Sequence, residues 1–152
     1  MKKISFGILL VSIFLGSCKK YLKEGDLDKE VIVRFPVNGI SGNNDPDFIT
    51  FPAYTYLVDF DKRDYPKVDS ITFNATVFTN TIADITYARL FNITDNVEIA
   101  NSTLSSSGNN FEGKQVHSNN FYQSLPDKRI TLALQVKGGP GSVYNPFLKL
   151  RR

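Results

Sequence analysis

Ile130, Leu132, Leu134 and Val136 stand at every second position, with Thr131, Ala133, Gln135 and Lys137 between them. This alternation constrains the fold more than any other feature of the chain. A period of two places the two sets on opposite faces of an extended strand. Ser70 to Thr79 repeats it, with Ile71, Phe73, Ala75 and Val77 on one side and Thr72, Asn74 and Thr76 on the other. A strand with one apolar and one wet side needs a second layer to cover the apolar side.

The rest of the chain supplies more strands and the turns between them. Val31 to Phe35 is β-branched and aromatic and is stopped by Pro36, and the Gly- and Asn-rich tract 38–46 reads as a long loop. Phe48 to Phe60 reads as a half-buried strand in which Pro52 marks an edge, a bend or a strand start. Ile85 to Ile93 carries apolar groups on both faces: Ala88 and Leu90 on one, Ile85, Tyr87, Phe91 and Ile93 with Arg89 on the other. Asp95-Asn96 is a turn, 97–100 a short strand, 101–110 a Ser- and Asn-rich loop and 111–118 a polar strand. After Gly138-Gly139-Pro140-Gly141 the chain returns through Val143 to Leu150, where Asn145-Pro146 predicts an edge strand or a bulge. No segment after residue 17 carries a helical repeat. The expected fold is all-β, a single antiparallel β-sandwich or jelly roll.

The first residues read differently. Lys2 and Lys3 precede an apolar run from Ile4 to Leu15, shorter than the roughly 20 residues that a membrane-spanning helix takes. Leu15-Gly16-Ser17-Cys18 resembles the lipobox of bacterial lipoproteins. The resemblance implies cleavage before Cys18, acylation of its thiol, and, with Lys19 next, residence at the outer membrane of a Gram-negative bacterium, periplasmic or surface-facing. Cys18 is the sole cysteine, so a disulfide framework is excluded. Two or three acyl chains exceed the two-signal threshold for stable anchoring. The expected organisation is a signal peptide over 1–17, the lipidated cysteine and a charged tether over 18–30, and one β-sandwich domain over 31–152.

Charge excludes one class of partner. Lys2 and Lys3 leave with the leader, bringing the formal charge from +3 to +1, and no basic stripe remains to serve nucleic acid. An enzyme is not expected either. His117 is the sole histidine, no G-x-S-x-G element accompanies it, and the glutamates lie scattered in polar strands, loops and the tether.

Tyr65 to Phe73, the segment Tyr87-Ala88-Arg89-Leu90-Phe91-Asn92, and Ile130 to Lys137 closing on Gly138-Gly139 together resemble a jelly-roll module of bacterial secreted and surface proteins, similar to galactose-binding-like and carbohydrate-binding β-sandwiches. The resemblance implies binding rather than catalysis. Sugar recognition needs flat aromatic faces with fixed hydrogen-bonding groups, and Tyr54, Tyr56, Tyr87, Arg89, Phe91, Tyr122 and Tyr144 are the candidates. If Ala88 and Leu90 face the core, Tyr87, Arg89 and Phe91 are displayed together on the outer face. The alternative is that the aromatics fill the core and Arg89 pairs with a carboxylate. Asp59, Asp61 and Asp64, with Asp45 and Asp47 from the earlier loop, are a candidate oxygen set for structural calcium, against which Lys62 and Arg63 lie inside the cluster. Two functions follow as expectations: a lipid-anchored module that binds polysaccharide at the cell envelope, or a structural accessory subunit gripping an outer-membrane protein.

Overall fold

A computed structural model describes residues 30–42, 44–80, 84–108 and 113–152. The two alternating rows become its central strands. Ser70–Thr79 forms β5, with Ile71, Phe73, Ala75 and Val77 at most 1% exposed, and Ile130–Gly138 forms β10, with Ile130, Leu132, Leu134 and Val136 buried. The remaining strands in chain order are β1 (Glu30–Arg34), β2 (Gly39–Ser41), β3 (Ile49–Thr50), β4 (Leu57–Phe60), β6 (Ile85–Asn92), β7 (Val97–Glu98), β8 (Leu104–Ser107), β9 (Lys114–His117) and β11 (Gly141–Arg151). Among the described residues the helical elements are three single 3-10 turns.

Among the described residues all pairings are antiparallel. One sheet runs β1-β11-β5-β9, with β2 also on β11; the other runs β3-β10-β6-β7, with β4 also on β10 and β8 also on β6. Taking β1/β2, β3/β4 and β7/β8 as three interrupted strands gives eight in two layers of four, ordered first-eighth-third-sixth and second-seventh-fourth-fifth. That is the double-sheet jelly roll. Between the layers Phe73, Val77, Val143, Leu148 and Leu150 of one sheet join Leu90, Leu132 and Leu134 of the other in one apolar core, with Phe35 meeting Phe73 edge-on at 6.2 Å.

Four expectations need correction. The tract 38–46 is not all loop, because Ile40 is buried and carries β2 onto the free edge of β11. The tract 101–110 contains β8, whose Leu104 and Ser106 alternate inward against β6. Phe48 to Phe60 is two short strands separated by a 3-10 turn, Ala53–Thr55, which Pro52 starts. Glu30 belongs to β1, opposite Arg151, and accepts from Arg151 Nε at 3.1 Å.

Asn145-Pro146 is a bulge and not an edge. β11 lies between β1/β2 and β5, and its register to β5 shifts between Tyr144 and Phe147. Asn145 takes φ 49°, which asparagine tolerates, and its N–H donates to Asn38 O at 2.8 Å. Proline lacks an N–H, but the Pro146 carbonyl still accepts from Phe35 N at 3.2 Å.

Lys62 ties the base of the sandwich together. It is 8% exposed; its ammonium donates to Leu125 O at 2.6 Å and Tyr122 O at 3.3 Å, pairs with Asp127 at 2.9 Å and lies 4.7 Å from the Tyr122 ring centre. Lys62→Met keeps the apolar stem and strands the two carbonyls, so it is expected to lower stability by about 3 kcal/mol. A fall in the urea midpoint at unchanged slope checks this.

Candidate functional site

Along β6 every second side chain points inward: Thr86, Ala88, Leu90 and Asn92 are at most 1% exposed. Tyr87, Arg89 and Phe91 therefore stand on the outer face of the second sheet, each half-buried. Antiparallel pairing sets the outward row of β10 beside them, Lys137 opposite Tyr87, Gln135 opposite Arg89 and Ala133 opposite Phe91. On the far side of β6, Ser105 faces Tyr87 and Glu98 faces Phe91.

A polar ladder crosses four strands here. Thr50 Oγ1 accepts from Gln135 Nε2 at 2.8 Å, Gln135 Oε1 accepts from Arg89 Nε at 2.8 Å, and the Arg89 guanidinium continues to the Glu98 carboxylate. The ring of Phe48, just before β3, lies over this ladder with its centre 3.9 Å from Arg89 Cζ and 4.9 Å from Lys137 Nζ. Lys137 Nζ is also 5.2 Å from the centre of the Tyr87 ring. Two cations and two aromatic rings thus interleave, each contact worth about 0.5–1 kcal/mol at such exposure.

Both readings of Arg89 hold in part. Tyr87, Arg89 and Phe91 are displayed together, and Arg89 also pairs with a carboxylate. Phe48, Thr50, Glu98, Gln135 and Lys137 were not among the expected site residues. Gln135 and Lys137 were legible as the outward set of β10; Phe48 and Glu98 carried no local signal. Tyr54 is 74% exposed on the 3-10 turn Ala53–Thr55, and Tyr56 is half-buried just after it. That turn joins β3 and β4, both on the edge of β10 away from β6, so Tyr54 and Tyr56 are separated from Tyr87 by the width of β10.

The aspartates do not form an oxygen cage. Among the described residues no three His, Cys, Asp or Glu side chains converge as a metal site. Asp59 is exposed at φ 56°, Asp64 faces Arg129 at 3.7 Å, and Asp61 is buried against Arg63. Asp45 uses its carbonyl to accept from Gly138 N at 2.9 Å, while Asp47 is exposed. Asp61 caps the following 3-10 turn by accepting from Arg63 N at 3.0 Å, and it takes Arg63 Nε and Nη2 at 2.9 and 2.6 Å. The Arg63 guanidinium holds its carboxyl down at about 2. A depressed carboxyl contributes stability above its unfolded value of about 4 and loses it as pH falls. The melting temperature is therefore expected to drop between about pH 4 and about pH 2 through this group, a step that Asp61→Asn removes.

His117 is exposed on β9, its Nδ1 3.1 Å from Ser118 O. Cys18 and tether residues 18–29 lie outside the described residues. No helix among the described residues is long and apolar enough to cross a membrane.

No family model matches the chain, and no curated protein does. Solved structures similar to it include "Structure of infectious bursal disease virus Gx strain", 12% identical over 81% of this chain and 29% of that one, with a TM-score of 0.40. "Structure of infectious bursal disease virus Gt strain" is 11% identical over 81% of this chain and 32% of that one, with a TM-score of 0.38. The chain spans about a third or less of either viral chain, and a likeness this low carries no argument about function.

Proposed function

We propose that this chain is a non-catalytic binding module, held at the outer membrane by acyl chains on Cys18, that captures glycan on the outer face of its second sheet. One observation carries the site: Tyr87, Arg89 and Phe91 stand outward together on β6, bordered by Gln135 and Lys137 of β10. Aromatic faces supply stacking area, and a guanidinium fixed by the buried Gln135 supplies directional hydrogen bonds, which is the mix that sugar recognition uses. Within these paired rows two cations, Arg89 and Lys137, stand against one carboxylate, Glu98. That balance favours a glycan bearing carboxylate or sulfate groups.

The anchor rests on the lipobox-like Leu15-Gly16-Ser17-Cys18. Metabolic labelling with a palmitate analogue tests it directly, since Cys18→Ala removes the label if the thiol is the acceptor. For the ligand, the detergent-extracted protein is expected to bind acidic polysaccharides on a glycan array and to lose that binding on Tyr87→Ala and on Arg89→Ala. Absence of binding to every glycan, with a stoichiometric membrane protein co-purifying instead, makes the chain an accessory subunit and overturns the proposal.

A further inference from the structure

The outer face of the first sheet holds a strip of different chemistry. Alternation on β5 turns Thr76 and Phe78 outward, and on β11 it turns Ser142 and Tyr144 outward. Pairing extends these into two rows across the sheet: Ser41, Ser142 and Phe78 in one, Gly39, Tyr144, Thr76 and Gln115 in the other, with Gly113 one residue before β9. The Phe78 and Tyr144 rings meet edge-to-face at 5.1 Å. Each ring also lies down on a glycine. A Cβ on Gly39 would come within 2.5 Å of Tyr144 Cδ1, and one on Gly113 within 2.6 Å of Phe78 Cζ.

Glycine weakens a strand and marks a place where something approaches the backbone closely. Here two glycines, on opposite sides of the pair, let two aromatic rings lie low across the sheet instead of standing up from it. Tyr144 nevertheless keeps 42% of its surface exposed. The groups around the rings are hydroxyls and an amide: Ser41 and Ser142, whose oxygens are 3.1 Å apart, Thr76 and Gln115. None of the residues in these two rows carries a charge at neutral pH. From β2 to β9 the strip is three strand spacings wide, about 15 Å.

We infer that this strip is a second binding face and that its ligand is a neutral polysaccharide chain laid across the strands over Tyr144 and Phe78. Stacking on the rings gives the affinity, and the hydroxyl and amide groups along the strip read the sugar hydroxyls. A charged ligand would find no counter-charge in these rows, and a purely apolar partner would bury the hydroxyls and the amide unpaired. The inference does not depend on the cationic face around Arg89, which lies on the other sheet.

Affinity electrophoresis of the detergent-extracted full chain tests it, in gels holding xylan, mannan or laminarin, with polygalacturonate alongside. Retardation is expected in at least one neutral gel, weakened about tenfold or more by Tyr144→Ala and weakened by Gln115→Ala. No retardation in any neutral gel, or retardation indifferent to both Tyr144→Ala and Gln115→Ala, overturns the inference. Gln115 is exposed on an edge strand, so Gln115→Ala decides the case if Tyr144→Ala loses its thermal transition. The polygalacturonate gel reports separately on the Arg89 face, so either face can fail without the other.

Discussion

Gly138→Ala is expected to unfold the protein or come close to it. Gly138 ends β10 opposite Thr86 at φ 98°, a backbone conformation that side-chain-bearing residues rarely adopt. A Cβ there would lie 2.0 Å from the Ile85 carbonyl oxygen. That oxygen belongs to the strand bearing the candidate site, so relieving the clash means prising β6 from β10. Backbone strain of about 1–3 kcal/mol adds to the clash, and a total of about 4 kcal/mol or more is a large part of a typical domain's stability. Gly108→Ala separates the two causes. Gly108 also has a positive φ, 85°, but a Cβ there meets nothing within 4 Å, so only the backbone part, about 1 kcal/mol, is expected. Thermal unfolding of the two variants side by side checks the difference.

Phe73→Ala is the second large effect. Phe73 is fully buried on β5 at the centre of the first sheet and meets Phe35 at 6.2 Å. Its backbone N–H donates to Ser118 Oγ at 2.9 Å and its carbonyl accepts from Ser118 N at 2.8 Å, bonds that alanine keeps, so the strand is held in place. The space left by the ring therefore stays open, and a loss of about 4 kcal/mol is expected. Phe73→Leu, which fills most of that space, is expected to lose about half as much. Urea titrations with parallel slopes and shifted midpoints would establish both values.

How much of this was legible in the chain depends on how many residues share a pattern. β5 and β10 announce themselves because four apolar residues alternate with polar ones and both faces have a clear destination. β2 and β8 do not. Ile40 stands among Gly, Ser and Asn, and Leu104 among serines, so what makes these segments strands is the free edge that β11 and β6 offer them. Asn145-Pro146 signalled an irregularity correctly, but whether it fell at an edge depended on β1 and β2 pairing with the same strand.

The candidate site divides in the same way. Once Ala88 and Leu90 are inward, the outward placement of Tyr87, Arg89 and Phe91 follows from the period of the strand. Gln135 reaches Arg89 through a pairing that spans 46 positions in the chain, and Thr50 reaches Gln135 across 85, and no local pattern encodes such partners. The aspartates show the opposite error. Asp59, Asp61 and Asp64 are close in sequence, yet a strand end and a 3-10 turn send them apart, and Arg63 occupies the one that is buried.

The most direct test of the binding face is a titration of the isotope-labelled protein with oligogalacturonate, followed residue by residue in the amide and side-chain NMR spectra. Capture on the second sheet predicts shifts centred on Tyr87, Arg89, Gln135 and Lys137, with Phe48 moving as its ring contact with Arg89 is disturbed. Spectra that stay unchanged to saturating ligand, or shifts that gather away from β6 and β10, would contradict it.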